Sequence, residues 1–363
     1  MKMKWTVLLV WIAGAGLHTA AMAETSVCRP VLWPEGFTMD VNNSLKSAEI
    51  DRLIKKADQL KNTPPHPVKV LTGAGLTDLK NPGLNASRSA FKDADRAALL
   101  ALAFWIKPDP EYLQSVRDIL LAWALVNQPT GHPIDESRLA GMVWAYDLLG
   151  CHLSRETRLS VESWFERMRS KKMSWQFGPL TDKNNHRTHQ LKMLLMLDRV
   201  LRHPVSVRRD LMQIAVHMNN NIDAVTGETR DYRERDALYY QNFDLQPWLE
   251  ISLLTHCCET AVSSAFEFLA RRIRSHKLSG EFVHSKAGID KIRAKNGFSY
   301  AKKGGRFDVA HAGTTIAAYY TVSSENPPAD LWSVVMHSKP SPWLDFILYR
   351  RVFWHSLIYA AEN

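Results

Sequence analysis

The chain has 363 residues, 46 lysines and arginines against 37 acidic residues, a formal net charge of +9 and four cysteines. So few cysteines exclude a disulfide-stapled scaffold, and a hydrophobic core must carry the fold. Beyond the N-terminal segment no stretch reaches the roughly 20 consecutive apolar residues of a membrane-spanning helix, which excludes a stable membrane anchor.

Residues 1 to 23 read MKMKWTVLLVWIAGAGLHTAAMA, with two lysines, a short apolar run and a small-x-small end at Ala21 to Ala23. This is the pattern of a secretory signal peptide cut after Ala23, so a periplasmic or secreted protein is expected. Losing Lys2 and Lys4 takes the net charge from +9 to +7. In an exported chain that excess favours acidic glycans or anionic envelope surfaces over nucleic acid. Export also permits disulfides. Adjacency disfavours a bond between Cys257 and Cys258, so Cys28 or Cys151 is the better candidate for a bridge, and the pairing stays open.

Residues 24 to 363 show no composition break and are read as a single domain. Apolar residues recur three and four apart. Ile50, Leu53, Ile54, Ala57 and Leu60 make one stripe, and Leu113, Val116, Leu120 and Trp123 a second. Leu139, Met142, Val143, Tyr146 and Leu149 make a third, which Gly150 is expected to cap. Ser154 then stands where an N-cap belongs, before a helix burying Val161, Trp164, Phe165 and Met168. Helical patterns continue over about 187 to 202, 206 to 220, 239 to 276, 308 to 322 and 328 to 337, and strand patterns are scarce. Successive amphipathic helices with short links predict an all-α chain of hairpins, either bundled or circled into an α/α toroid. Twelve tryptophans and ten tyrosines are many for such a fold, and a minority could line a sugar-binding cleft.

Two stretches carry chemistry. DKNNHRTHQ, residues 182 to 190, places Asn184, Asn185 and His186 just before an apolar helical run. There the free backbone N–H groups and the helix dipole suit a bound carboxylate. The bland alternative makes Asn185 an N-cap and His186 a surface residue. In GETRDYRERDALYYQNFDLQPW, residues 227 to 248, Arg233 and Tyr240 are seven apart and would share a face if the segment is helical. A tyrosine beside a cation can titrate below its usual pKa of about 10 and so both take and give a proton.

Together, NNH at 184 to 186 and RERDALYY at 233 to 240 resemble the alginate lyase family of polysaccharide lyases. The likeness runs from SRSAF at 87 to 91, through NQPTGHPIDESRLAGMVWAYDLL at 127 to 149, to EFVHSKAGIDKIRA at 281 to 294. The resemblance implies an incomplete (α/α) toroid that cleaves a uronic-acid polymer, foremost poly-mannuronate, by β-elimination with neither metal nor cofactor. Asn185, His186 and Arg233 would neutralise the uronate carboxylate, Tyr240 would move the proton, alone or as the acid to a His186 base, and Arg88 would contact substrate. A monomer is expected.

The sequence departs from the family where sugar subsites are expected. Gln241 follows Tyr240 where the best-known members carry His, and Arg187, Thr188 and His189 replace a Ser-Tyr-Trp run. Arg187, His189 and Gln241 therefore become candidate substrate contacts, and a lyase for glucuronan or another glucuronate-containing exopolysaccharide is the alternative. A metal on His186 and His189 lacks a third ligand motif. Hydrolysis would need two carboxylates, for which Asp135 and Glu136 are the tempting pair. A non-catalytic glycan-binding or export protein is the remaining alternative.

Overall fold

The structure, a computed structural model, describes residues 30–33, 47–255, 257–323, 325–339 and 341–361. The signal-peptide reading falls outside them. The first helices are α1 (Ser47–Leu60), α2 (Pro82–Ile106), α3 (Pro110–Val126), α4 (Pro133–Ser137) and α5 (Ala140–Leu149). Next come α6 (Arg155–Met173), α7 (Asn185–Val200), α8 (Pro204–Asn221), α9 (Arg230–Arg235), α10 (Leu238–Thr255) and α11 (Glu259–Arg274). The chain ends with α12 (Gly288–Lys295), α13 (Gly313–Val322), α14 (Ala329–His337) and α15 (Pro342–Ala361). Strands β1 (Ser279–Glu281) and β2 (Gly305–Arg306) pair antiparallel, Ser279 opposite Arg306, and make the one small sheet among the described residues.

Local chemistry starts and stops these helices. Asn81 accepts from the backbone N–H of Gly83 and Leu84 at the start of α2, and Asp109 does the same for α3; each is followed by a proline, whose missing N–H costs nothing there. Ser154 caps α6 through the Thr157 N–H, as its position predicts. Gly150 does follow α5, but in right-handed geometry, and the chain continues in a 3-10 turn to His152. A side chain at Gly150 would come within 3.3 Å of the Tyr146 ring, so packing rather than left-handed backbone explains it. The 239 to 276 pattern is two helices: Cys258 adopts φ 73° between α10 and α11. A left-handed non-glycine residue is not legible from periodicity.

Helices α2, α5, α7, α10, α13 and α15 each pack on the next, and α15 returns to α2. Outside this ring α1 and α3 cover α2, α6 and α8 cover α7, α11 covers α10 and α14 covers α13. The result is an α/α toroid of helical hairpins, as expected. The layers approach closely: a Cβ on Gly141 of α5 would lie 2.2 Å from the Ala94 carbonyl oxygen of α2. Cys151 is disulfide-bonded, its partner lying outside the described residues, while Cys257 and Cys258 are free thiols.

Candidate active site

The NNH stretch opens α7, as its sequence predicts. Asn184 is the N-cap and accepts from the His186 N–H at 3.0 Å. Asn185 is buried and donates twice to Asp231, from its backbone N–H at 2.6 Å and from its amide Nδ2. Burial, reinforced by the neighbouring Asp244, drives the Asp231 carboxyl well above the usual range. Asp244 in turn accepts from Thr188 Oγ1 at 2.7 Å, and that hydroxyl lies 2.9 Å from His217 Nε2. A buried polar chain thus stands behind Asn185 and fixes its orientation, and it consumes Thr188.

His186 is half-buried, its ring 5.9 Å from that of His132, which packs edge-on against Trp175. Burial, then the nearby His132, Arg235 and Arg293, push its pKa down to about 4. The imidazole is therefore neutral near pH 7 and has a lone pair to offer.

The second stretch is not one helix. The chain leaves α9 at Asp236, in left-handed geometry with φ 48°, and α10 begins two residues later. Arg233 consequently does not share a face with Tyr240. Its side chain is 40% exposed and turns to Asp223 at 3.4 Å. Arg235 takes the place expected of Arg233: Nη2 donates to Tyr240 Oη at 2.7 Å, and the guanidinium lies 3.8 Å from the phenol ring centroid. Asp290 holds Arg235 through Nε at 2.6 Å.

Arg293 of α12, which the sequence reading passed over, is a second donor to Tyr240 Oη at 3.2 Å, and its Nε donates to the Leu76 carbonyl oxygen at 3.0 Å. Asn296 Nδ2 donates to the Thr77 carbonyl oxygen at 2.7 Å. The loop ahead of α2 is thereby tied down over the site. Despite the two guanidiniums, burial raises the Tyr240 pKa above the ordinary phenol value, so the expectation of a lowered pKa fails. Desolvation of a phenolate outweighs the two cations here.

Glu281 sets the height of Tyr240. Its carboxylate accepts from the Leu238 and Tyr239 N–H groups at 2.7 and 3.0 Å, capping α10 from β1, and burial pushes its pKa up to about 7. Tyr239 stacks on Tyr300 at 4.4 Å, and Tyr240 meets Phe243 and Phe282 edge-on.

The other expected contacts divide. His189 lies one turn beyond His186, buried, with Nδ1 2.7 Å from Ser137 Oγ and its ring against Phe243. Gln241 is fully buried and satisfied by the Thr229 N–H and the Gly227 and Ala265 carbonyls, so it faces the core, not a sugar. Arg187 turns outward to Gln190 and Gln213, over Phe177. Arg88 is exposed on α2. The carboxylates considered for hydrolysis are structural: Asp135 accepts from the Ala74 N–H at 2.8 Å, and Glu136 from the Gly131 N–H at 2.9 Å beside Lys172 at 3.3 Å. His186 and His189 have different neighbours, and no group of three or more His, Cys, Asp or Glu able to hold a metal occurs among the described residues.

A helical toroid presenting an imidazole, an amide and a phenol under two guanidiniums at one end of its inner ring has the layout of a polysaccharide-cleaving enzyme. The family model described as "Alginate lyase" matches residues 43–256, and the chain belongs to that family, so it is a polysaccharide lyase. Solved structures agree on the fold. Alginate lyase A1-III from Sphingomonas species A1 is 16% identical, with a TM-score of 0.55 over 83% of this chain and 93% of that one. An alginate lyase from Bacteroides ovatus is 15% identical, with a TM-score of 0.53 over 80% and 93%. A variant of alginate lyase A1-III complexed with tetrasaccharide is 13% identical, with a TM-score of 0.55 over 85% and 96%. No curated protein matches.

Proposed function

We propose that this protein cleaves a β-1,4-linked uronic-acid polymer by β-elimination, with poly-mannuronate alginate as the leading substrate and glucuronan the alternative. The observation that carries the reading is Tyr240 Oη held by Arg235 and Arg293, the same two guanidiniums that act on the neutral His186. Abstracting the C5 proton of a uronate sends charge onto its carboxylate, and aimed donors must meet that charge; one such donor is worth about 100- to 1000-fold in rate. Arg235, Arg293 and the second amide hydrogen of Asn185 are the donors available. Tyr240, protonated at rest, gives its proton to the departing O4, and His186 accepts the C5 proton. Side chains supply both charge stabilisation and proton transfer, so no metal is assigned a step. The alginate lyases of like fold support the choice of alginate.

The signal-like residues 1 to 23 and the basic net charge fit an exported protein meeting an acidic glycan. The test is a panel of mannuronate, guluronate and glucuronate polymers, followed by the ultraviolet absorbance of a C4=C5 double bond at the new non-reducing end. The chromophore should appear with wild type and be lost in Tyr240→Phe. New reducing ends without the chromophore would mean hydrolysis and end this reading.

A further inference from the structure

Below the catalytic groups the toroid is not filled. A cavity of about 250 Å³ lies on its axis, with walls from all six inner helices: Asp95, Gly141, His189, Phe243, Thr314 and Trp343. Packed interiors hold few voids larger than one water, so a space of this size with polar walls asks for an occupant. It adjoins the catalytic groups through their neighbours on α7 and α10. His189 is one turn beyond His186 on α7, Lys192 one turn further, and the Phe243 ring lies 6.4 Å from that of Tyr240.

The walls carry two acids, Asp95 and Glu250, and two bases, Arg138 and Lys192, and one of these bases, Lys192, lacks an ion-pair partner among the described residues. Lys192 is buried, donates to the Ser137 carbonyl oxygen at 3.2 Å, and has no ion pair within 4.0 Å among the described residues. Glu250 is already held by Arg350 through the two terminal guanidinium nitrogens, Nη2 at 2.8 Å and Nη1 at 3.2 Å. Burial pushes the Asp95 carboxyl up to about 6, and Arg138, which also lines the cavity, opposes that shift. His189 is 6% exposed, and its Nε2 is buried without a partner. Ser137 Oγ lies 2.7 Å from His189 Nδ1; in the tautomer in which the hydroxyl donates, Nε2 carries the hydrogen and becomes a second donor beside the Lys192 ammonium. An orphaned buried donor is costly unless a ligand completes it.

We propose that this axial pocket is a carboxylate-binding subsite taking one uronate unit next to the bond that is cut. The carboxylate sits between Lys192 Nζ and His189 Nε2, and the ring lies against Phe243 and Trp343. The assignment deepens the lyase reading and rests on it. Two parts of a polymer can present this chemistry, the terminal residue of the main chain or an acidic side branch.

The experiment measures binding of free glucuronate and mannuronate, against glucose and mannose, by titration calorimetry on the full-length protein. Wild type should bind the uronates and not the neutral sugars. Lys192→Met, close in volume and without the charge, should weaken uronate binding about ten- to hundredfold, the worth of a charge-assisted hydrogen bond. His189→Phe, which fills the pocket, should abolish it, with circular dichroism checking that both variants fold. Uronate affinity unchanged in both variants, or equal affinity for the neutral sugars, overturns the proposal even if the protein is an active lyase. Absence of lyase activity on every uronate polymer overturns the preceding reading, while saturable, Lys192-dependent uronate binding would still stand. Product analysis separates the two sources. Single unsaturated residues released from the first minutes assign the pocket to the chain end, and cleavage faster on polymers with acidic branches assigns it to a branch. A product pattern and rate identical in wild type and His189→Phe overturn both.

Discussion

Two arginines two residues apart decide how the site is read. Successive helical residues turn by about 100°, so Arg233 and Arg235 leave α9 on nearly opposite faces. Only Arg235 reaches Tyr240. Arg235→Ala should therefore lower kcat/KM by about 100-fold or more, the cost of one aimed donor, whereas Arg233→Ala should stay near wild type; steady-state kinetics on the cleaved polymer checks both. The sequence carried the pair as RER, and nothing in it tells which guanidinium turns inward, because the answer depends on the left-handed break at Asp236. Asn185, His186 and Tyr240 were legible because their types and spacing state the chemistry. Arg293 was not, since its nearness to Tyr240 comes from a contact more than 50 residues away in sequence. Protonation is also set by the fold. His186 drops from an ordinary 6.5 to about 4 through burial and three neighbouring cations or imidazoles. A depressed histidine resists protonation in the folded state, so its contribution to stability is present above pH 6.5 and lost as pH falls toward 4. With His186 as the proton acceptor, the acid limb of kcat/KM should fall near pH 4. A limb near 6.5 that disappears in His186→Gln would show the imidazole to be solvated.

At the scale of elements, the stripes that predict helices hold wherever the chain runs straight, and they fail at the turns. Ser154 and the α6 stripe agree with the structure; the 239 to 276 pattern does not, because an apolar period continues across Cys258 while the backbone reverses. The missed element of most consequence is the short antiparallel β1–β2 pair, too brief for an alternating pattern. Through it Glu281 caps α10 and so positions Tyr239 and Tyr240. Glu281→Gln keeps one acceptor and places an amide where the second stood, which should cost about 1 kcal/mol of stability, the ordinary worth of a cap. It should also lower kcat more than it raises KM, because it shifts Tyr240 without removing a substrate contact. The pKa of Glu281, raised from 4.5 to about 7 by burial, means that the folded state binds the proton more tightly than the unfolded chain. Its contribution is thus complete below pH 4.5 and lost as pH rises through 7. Denaturant titrations from pH 4.5 to 7.5 should lose that component of the slope in Glu281→Gln, and identical slopes in variant and wild type would remove Glu281 from the account.

Across the whole molecule, the toroid depends on its last helix returning to its first, and one buried ion pair ties that last helix across the ring to α10. Arg350 of α15 is 1% exposed, pairs with Glu250 of α10 through two hydrogen bonds, and lies 4.9 Å from the Trp144 ring centroid of α5. A single residue thus ties three of the six inner helices. The guanidinium depresses the Glu250 carboxyl despite its burial, which keeps the pair ionised inside the ring. Removing one partner strands the other charge, a loss of about 3 to 5 kcal/mol, whereas replacing both by apolar groups of similar volume is often neutral. Arg350→Met should accordingly lower the unfolding midpoint markedly, and the double variant Arg350→Met with Glu250→Leu should recover most of the loss. Thermal unfolding of the three variants measures the coupling directly, since the two sites share one interaction and additivity must fail. An additive double variant would mean that α15 is held to the ring by its apolar contacts with α2 and α13 alone, with the ion pair a bystander to closure.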